Sequence, residues 1–252
     1  MWDKMVTSNG SEWRSPLPYA SSRFGEITYS WNPIVGCLHN CVYCWSRKYA
    51  ARLASRGIEP YRSYGFNPTF VAERLRQKLP NRGFIFVSDM GDMWGEWISR
   101  DWIESVLRVV RSKPRTNFLF LTKNPARYLE FIGEFSDNVV LGATIETNRD
   151  YGLSRAPSPR ERYKAMLNLD WRWKAIFIEP ILDFDDEFIG WIREIKPCMV
   201  YVGYDNHGNR LSEPELVKTE ILLKALVSIT ELKLGTVRRA WYERQLTSRK
   251  NL

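Results

Sequence analysis

Three of the four cysteines in this 252-residue sequence fall within one octet, Cys37-Leu38-His39-Asn40-Cys41-Val42-Tyr43-Cys44. A gap of three residues and then of two lets three thiols converge from a single turn of chain. Thiolates are soft ligands that suit iron–sulfur clusters and zinc. On a cubane [4Fe–4S] cluster, three protein ligands leave one iron without a protein partner, which is the open site a chelating substrate needs. A zinc site built from the same cysteines and His39 is also a sound donor set. Against it, His39 lies inside the loop between two ligands, where simultaneous ligation is cramped, and no second Cys/His pair completes a finger spacing. Three unligated core cysteines fit poorly, because polar His39 and Asn40 interrupt any buried pattern. The fourth thiol, Cys198, stands apart in the apolar run Cys198-Met199-Val200-Tyr201-Val202.

The octet needs elements to hold it, and the sequence supplies a repeating pair. Short apolar runs, each followed by a longer amphipathic segment, are the pattern of βα units around a parallel sheet. Strands are expected at Ile27–Trp31, Phe84–Ser88, Asn117–Leu121, Val139–Thr144, Ala175–Glu179 and Met199–Gly203. Helices are expected at Cys44–Ser55, Thr69–Leu79, Arg100–Ser112, Ala126–Phe131, Pro159–Leu167, Asp186–Ile195 and Glu213–Thr230. Ser99, Asn124-Pro125, Ser158-Pro159 and Ser212 offer capping acceptors or a preset φ at helix starts. The reading is α/β, a partial (β/α)6 TIM-like barrel, with a doubly wound open sheet as the alternative. Lys233–Val237 is either a short seventh strand or a lead into the tail. Residues 1–24 read as an irregular lead-in, 25–237 as the barrel, and 238–252 as a basic tail.

In either architecture the site lies at the carboxyl ends of the strands. The polar residues found there are Asp89 and Asp92 after the second strand, Lys123 after the third, Thr144 and Glu146 after the fourth, and Glu179 closing the fifth. Thr144 and Glu146 are two apart and so share a side. A carboxylate such as Glu179, at the end of an apolar strand, is costly unless a partner or a ligand meets it. Tyr204 opens the polar loop after the sixth strand.

Composition narrows the class. With 44% hydrophobic and 26% charged residues, the chain has material for a core, and extensive disorder is excluded. No run approaches the roughly 20 apolar residues of a membrane span, and Met1-Trp2-Asp3-Lys4 lacks the apolar region of a secretory signal, so a cytoplasmic protein is expected. In a reducing compartment a cysteine octet points to metal or redox chemistry rather than disulfides. A net charge of +8, with 11 tryptophans and 12 tyrosines, suits a nucleic-acid partner, since phosphates pair with Lys and Arg while bases lie on aromatic faces.

The octet resembles the hallmark of the radical S-adenosylmethionine (SAM) superfamily, which has this spacing and an aromatic residue directly before the last cysteine, here Tyr43. The resemblance implies that Cys37, Cys41 and Cys44 hold a [4Fe–4S] cluster whose fourth iron chelates SAM. It also implies an external one-electron donor of the flavodoxin or ferredoxin type. The Gly-Gly-Glu-like element usual in that superfamily is missing, and Ser88-Asp89-Met90-Gly91-Asp92 stands in its place, with Asp89 or Asp92 as acceptor for the SAM ammonium. Lys123 then meets the SAM carboxylate, Thr144, Glu146 and Glu179 line the cofactor, with ribose hydroxyls or a substrate donor satisfying Glu179, and Tyr204 donates hydrogen to a product radical.

A narrower resemblance runs through Trp31-Asn32-Pro33, Gly36-Cys37, Leu121-Thr122-Lys123, Leu141-Gly142 and Ile178-Glu179-Pro180. This order looks like a radical SAM family of phages and prokaryotes called Gp37/Gp68-like, itself distantly similar to spore photoproduct lyase, a DNA-repair enzyme. The expected function is radical SAM modification or repair of a nucleic acid or nucleotide. Two alternatives stay open: a nucleic-acid-binding protein with a structural or redox-sensing iron–sulfur or zinc site, and a radical SAM enzyme acting on a protein or small molecule.

Overall fold

The computed structural model describes residues 25–243, so the expected irregular segment 1–24 and the end of the basic tail lie outside the described residues. Seven parallel strands form one sheet: β1 (Ile27–Trp31), β4 (Phe84–Val87), β5 (Asn117–Thr122), β6 (Val139–Thr144), β7 (Lys174–Ile178), β8 (Met199–Val202) and β9 (Glu231–Leu234). Each strand pairs with the next in chain order, with no reversal. A doubly wound sheet reverses its order at a switch point. The sheet instead winds in one direction and curls into a half-barrel, which settles the choice between the two architectures. The seventh strand lies two residues upstream of where the sequence placed it.

Between β1 and β4 the chain makes a two-residue strand β2 (Ile34–Val35), helix α1 (Trp45–Ser55), one turn of helix α2 (Tyr61–Tyr64), and β3 (Thr69–Phe70), which pairs antiparallel with β2. The helix expected at Thr69–Leu79 is therefore replaced by β3 and a 3₁₀ turn at Ala72–Arg76. Backbone pairing to β2 outweighs a weak helical propensity there. The later helices are α3 (Arg100–Arg111), α4 (Pro159–Asn168), α5 (Glu187–Ile195) and α6 (Leu216–Val227), and the expected helix around Ala126–Phe131 is 3₁₀ over Pro125–Glu134. Sequence chemistry accounts for their starts. Ser99 accepts from the Trp102 amide, and Ser158 with Glu161 forms a reciprocal capping box ahead of Pro159.

The period-two alternation of the strands sorts the core. Ile85, Val87, Phe118, Phe120, Leu141, Ile176 and Val200 face the helices and pack with Ile103, Val106, Leu107 and Val110 of α3 in the main core. Phe84, Leu119, Val140, Ala175, Phe177, Met199 and Tyr201 form a second cluster on the concave face, to which no helix contributes. Continuing that alternation past the strand ends puts Lys123, Glu146 and Glu179 on the concave side, at the mouth. At the opposite end, Lys233 of β9 reaches across the curl to Glu26, beside β1, at 3.3 Å.

Among the described residues, no helix is long and apolar enough to cross a membrane. Of the tail 238–252, residues 238–243 are described, and Arg238 is paired with Glu213 at 2.7 Å.

Candidate metal and cofactor site

The cysteine loop runs from the end of β2 into α1, and backbone contacts fix both ends. Gly36 donates to Met90 O at 2.9 Å and accepts from Asp92 N at 3.2 Å, forming a bridge with Gly91. The approach leaves no room for a side chain: a Cβ on Gly91 would lie 2.7 Å from Gly36 O, and one on Gly36 2.2 Å from Asn67 O. Inside the loop, Asn40 adopts φ 54°, a left-handed conformation that Asn tolerates, and its side chain accepts from Arg47 at 2.6 Å. Cys44 caps α1, its Sγ accepting from the Arg47 amide at 3.3 Å.

His39 turns away from the thiols. Its Nε2 lies 2.9 Å from Asp92 Oδ2, its ring meets Trp97 edge-on at 4.7 Å, and its carbonyl accepts from Arg155 N at 2.6 Å. It acts as a tether through Nε2, while its Nδ1 is buried with no hydrogen-bond partner among the described residues. Cys41 and Tyr43 point inward and pack with Leu182 and Leu211, from the loops after β7 and β8. Burial pushes the Cys37 and Cys41 thiols up. At this depth they remain protonated unless a metal replaces the proton, as metal coordination does for thiols.

Among the described residues, no three His, Cys, Asp or Glu side chains are placed so as to hold a metal ion.

Glu146 organises the mouth. It accepts from the Tyr43 hydroxyl, lies 3.1 Å from Lys123 Nζ and 2.7 Å from Arg162 Nη1, and is 2% exposed. Arg162 also donates to Thr144 O at 2.5 Å, so Thr144 enters the site through its backbone. Burial pushes the Glu146 carboxyl up, and Arg162, Lys123 and the Tyr43 hydroxyl outweigh it, holding the group well below the usual carboxylate range. Lys123 and Arg162 set positive charge near Cys41 against Glu146, while buried Asp92 sets negative charge near Cys37. Lys123 Nζ also sits 5.4 Å from the centre of the Tyr43 ring. Beside this network a cleft of about 470 Å³, counting its solvent-open space, is lined by Tyr43, Glu146, Arg149, Tyr151, Ser154 and Arg162.

The remaining expected residues divide. Asp89 accepts from Ser30 Oγ at 2.8 Å and Asn32 Nδ2 at 2.6 Å and stays half-buried, with acceptor capacity left. Asp92 is fully occupied: besides His39 it accepts from Thr122 Oγ1 at 2.8 Å, Lys123 N at 3.0 Å and Trp94 N at 3.0 Å. Asp92 therefore braces the loop, a correction to its expected role as acceptor for a ligand ammonium. Glu179 makes no hydrogen bond or ion pair among the described residues, and burial raises its carboxyl. Gly203 leaves the space into which it leans, since a Cβ there would lie 2.7 Å from Glu179 Oε1.

Tyr204 is not brought to the site. Its hydroxyl bonds Pro214 O at 3.1 Å and Thr219 Oγ1 at 2.6 Å, and it belongs to the helix-facing core. The expected hydrogen donor is thus a core residue, because Tyr204 lies on the opposite face of its strand line from Tyr201 and Gly203. Arg162, Asn32 and the tethering role of His39 were not foreseen. The first carries a readable signal, a charge at the i+3 position from Pro159 on the face of α4 that buries Tyr163 and Met166.

The sequence matches the family DUF5131, described as a protein of unknown function, over residues 22–191. The chain belongs to this family. A comparison of the DUF5131 chain with curated proteins finds no match. By structure it is similar to spore photoproduct lyase. One solved form, with bound AdoMet and dinucleoside spore photoproduct, has a TM-score of 0.52 at 9% identity, covering 88% of this chain and 71% of that one. Another, with dinucleoside spore photoproduct, has a TM-score of 0.51 at 11% identity, covering 98% of this chain and 74% of that one. At these identities the likeness is one of fold.

Proposed function

We propose that this chain is a radical SAM enzyme that carries a [4Fe–4S] cluster on Cys37, Cys41 and Cys44 and modifies or repairs a nucleic acid or nucleotide. The observation that carries the reading is the loop itself: three free thiols at the mouth of a half-barrel, with the one histidine between them turned away to Asp92. The shared fold supports it, since spore photoproduct lyase has been solved with AdoMet and a dinucleoside in place.

A reduced cluster of this kind supplies the electron that splits SAM into methionine and a 5′-deoxyadenosyl radical able to take a hydrogen atom from substrate. The chain's own part is to position and shield. Lys123 offers an ammonium for the SAM carboxylate, held against Glu146 and the Tyr43 ring at the mouth. Asp89 retains acceptor capacity for the SAM ammonium. Glu179, without a protein partner, accepts from ribose hydroxyls or a substrate donor. Leu182 and Leu211 close over Cys41 and keep water from it. The open side of the half-barrel admits a macromolecule, and the charge of +8 draws a polyanion towards it.

Anaerobic reconstitution with iron and sulfide tests the proposal. A brown protein that bleaches on reduction and turns SAM into 5′-deoxyadenosine is expected. Stoichiometric zinc with no SAM turnover would sink it. Binding to DNA or RNA should weaken steeply with salt, because phosphate contacts release counterions. Turnover of SAM without such binding at low salt would redirect the chemistry to a protein or a small molecule.

A further inference from the structure

The loop after β6 lies against the cysteine octet. Val42 N donates to Leu153 O at 3.0 Å and Arg155 N to His39 O at 2.6 Å, so the backbone of this strap is laced to the octet. Between the strap, Tyr43 and the start of α4 lies the cleft of about 470 Å³, counting its solvent-open space. Arg162 forms one of its walls and is 4% exposed. Only one nitrogen of its guanidinium is engaged, Nη1, which serves both Glu146 and Thr144 O. Nε is buried with no hydrogen-bond partner, and Nη2 makes no hydrogen bond among the described residues. Nε and Nη2 share the edge of a guanidinium that forms a parallel fork for an oxyanion, and a buried donor left unpaired is costly. Two further features of the cleft favour an anion. Ser154 accepts from Ala156 N at 3.3 Å, and its hydroxyl hydrogen has no acceptor among the described residues. Ser158 and Pro159 bring the positive end of α4, a helix of 10 residues, to the same wall. The other charges on the walls are already matched. Glu146 is held by Tyr43, Lys123 and Arg162, Arg149 is held by Asp183 and Asp185, and exposed Asp150 accepts from Gly152 N at 2.9 Å.

We propose that this cleft is a phosphate subsite, in which the free fork of Arg162 holds a backbone phosphate of the substrate beside Tyr43. The inference rests on the nucleic-acid reading above and deepens it by assigning one substrate group to one side chain. Shape selects the group. A carboxylate lies flat in the plane of the fork, whereas a tetrahedral phosphate also turns oxygens out of that plane, where a hydroxyl on an adjoining wall, such as that of Ser154, can donate to them. Lys123, on the other side of Glu146, is the cation already available for the SAM carboxylate. A phosphate fixed beside Tyr43 anchors the strand one residue from Cys44, so the cleft sets which nucleotide reaches the mouth without reading its base.

The test uses the full chain reconstituted anaerobically and a fluorescein-labelled oligothymidylate of eight nucleotides, with binding followed by anisotropy over a range of salt concentrations. SAM affinity is measured separately by equilibrium dialysis. Arg162→Gln removes the fork and leaves Glu146 with Lys123 and Tyr43 as partners. Oligothymidylate binding should weaken roughly tenfold at low salt, and the slope of log K against log salt should fall by about 0.7, the share of one phosphate on a single strand. A role confined to holding the fold would weaken binding and leave that slope as it is, which would overturn the inference. Ser154→Ala leaves the buried pair intact and decides the matter should Arg162→Gln not fold: binding should weaken roughly threefold with the slope unchanged, since a neutral donor releases no counterion. Wild-type affinity in Ser154→Ala together with a wild-type slope in Arg162→Gln would also overturn it. So would lost SAM affinity in Arg162→Gln with oligothymidylate binding intact, which would assign the cleft to the SAM carboxylate. If wild type binds no oligothymidylate at low salt, the nucleic-acid reading falls and this inference with it.

Discussion

His39 Nε2 and Asp92 Oδ2 meet at 2.9 Å in a pocket that leaves His39 3% and Asp92 5% exposed. The residue between the first two cysteines is thereby tied to the loop after β4, and through Asp92 to Thr122 and the Lys123 amide after β5. Three strand ends share one carboxylate, so the spacing of the thiols is set by the barrel and not by the octet alone.

Replacing any of Cys37, Cys41 or Cys44 with Ala should abolish iron binding and SAM cleavage while leaving the far-ultraviolet circular dichroism intact. Cys198→Ala should retain both, since Cys198 lies at the start of β8, at the opposite end of that strand from the mouth. Iron content and visible absorbance decide the matter; full iron in the Cys41 variant would contradict the ligand assignment.

Gly91→Ala should behave like a cysteine variant although it carries no ligand. Its Cβ would press on Gly36 O and push the loop off the barrel rim. Reduced iron uptake with an unchanged circular dichroism spectrum is the expected result, and normal uptake would show that the bridge between Gly36 and Gly91 does not position the thiols.

Glu146→Ala removes the one carboxylate between Lys123 and Arg162 and should cost about 3–5 kcal/mol, as expected when one partner of a buried pair is lost. The pH dependence follows from its lowered carboxyl. A depressed folded-state value contributes stability that is present above the ordinary carboxylate range and is lost as pH falls below it. Denaturant titrations of wild type should therefore weaken from about pH 5 downward, and the variant should show less of that slope.

The sign reverses at Glu179. Burial raises its carboxyl with no partner to offset the cost, so its ionised form opposes folding. Its contribution is most favourable below the ordinary carboxylate range and is lost as pH rises through the raised value. Glu179→Gln should raise the melting temperature by a few degrees at neutral pH and leave it unchanged at about pH 4, while impairing SAM turnover. A variant that is no more stable at neutral pH would mean that Glu179 has a partner in solution.

Tyr204→Phe tests the correction made above. Loss of the hydroxyl leaves Pro214 O without its donor and Thr219 Oγ1 without a hydrogen-bond partner, and should cost about 1 kcal/mol, with SAM turnover intact. Loss of turnover in a stable protein would restore Tyr204 to the chemistry.

The central strands were legible because they are buried on both faces and so read as nearly unbroken apolar runs, Phe84 to Val87 and Met199 to Val202 among them, whereas the edge strands β1 and β9 are partly exposed. The number and regularity of the βα units pointed to a partial barrel over a doubly wound sheet, and the structure has that barrel with seven strands. The cysteines announced themselves by type and spacing. Lys123, Glu146 and Glu179 were found by being polar at a strand end. That rule cannot tell a side chain facing the mouth from one facing the core, and it failed at Tyr204, one residue out of phase. It could not separate Asp89 from Asp92 either, because which carboxylate keeps free acceptors depends on His39 and Thr122, 53 and 30 residues away. Arg162 escaped it altogether, since it reaches the site from a helix.

The Lys233–Glu26 contact bears on how the sheet closes. It spans the gap between the first and last strands, where a closed barrel would have a ladder of backbone hydrogen bonds, and Glu26 is 74% exposed. A ladder locks register and spacing residue by residue, whereas here one half of the pair, Glu26, is exposed and the other, Lys233, is shared with Glu231 at 2.8 Å. The seam behaves as a clasp, not a weld. The first and last strands are thus joined by side chains at the foot of the sheet, far from the cysteines at its mouth.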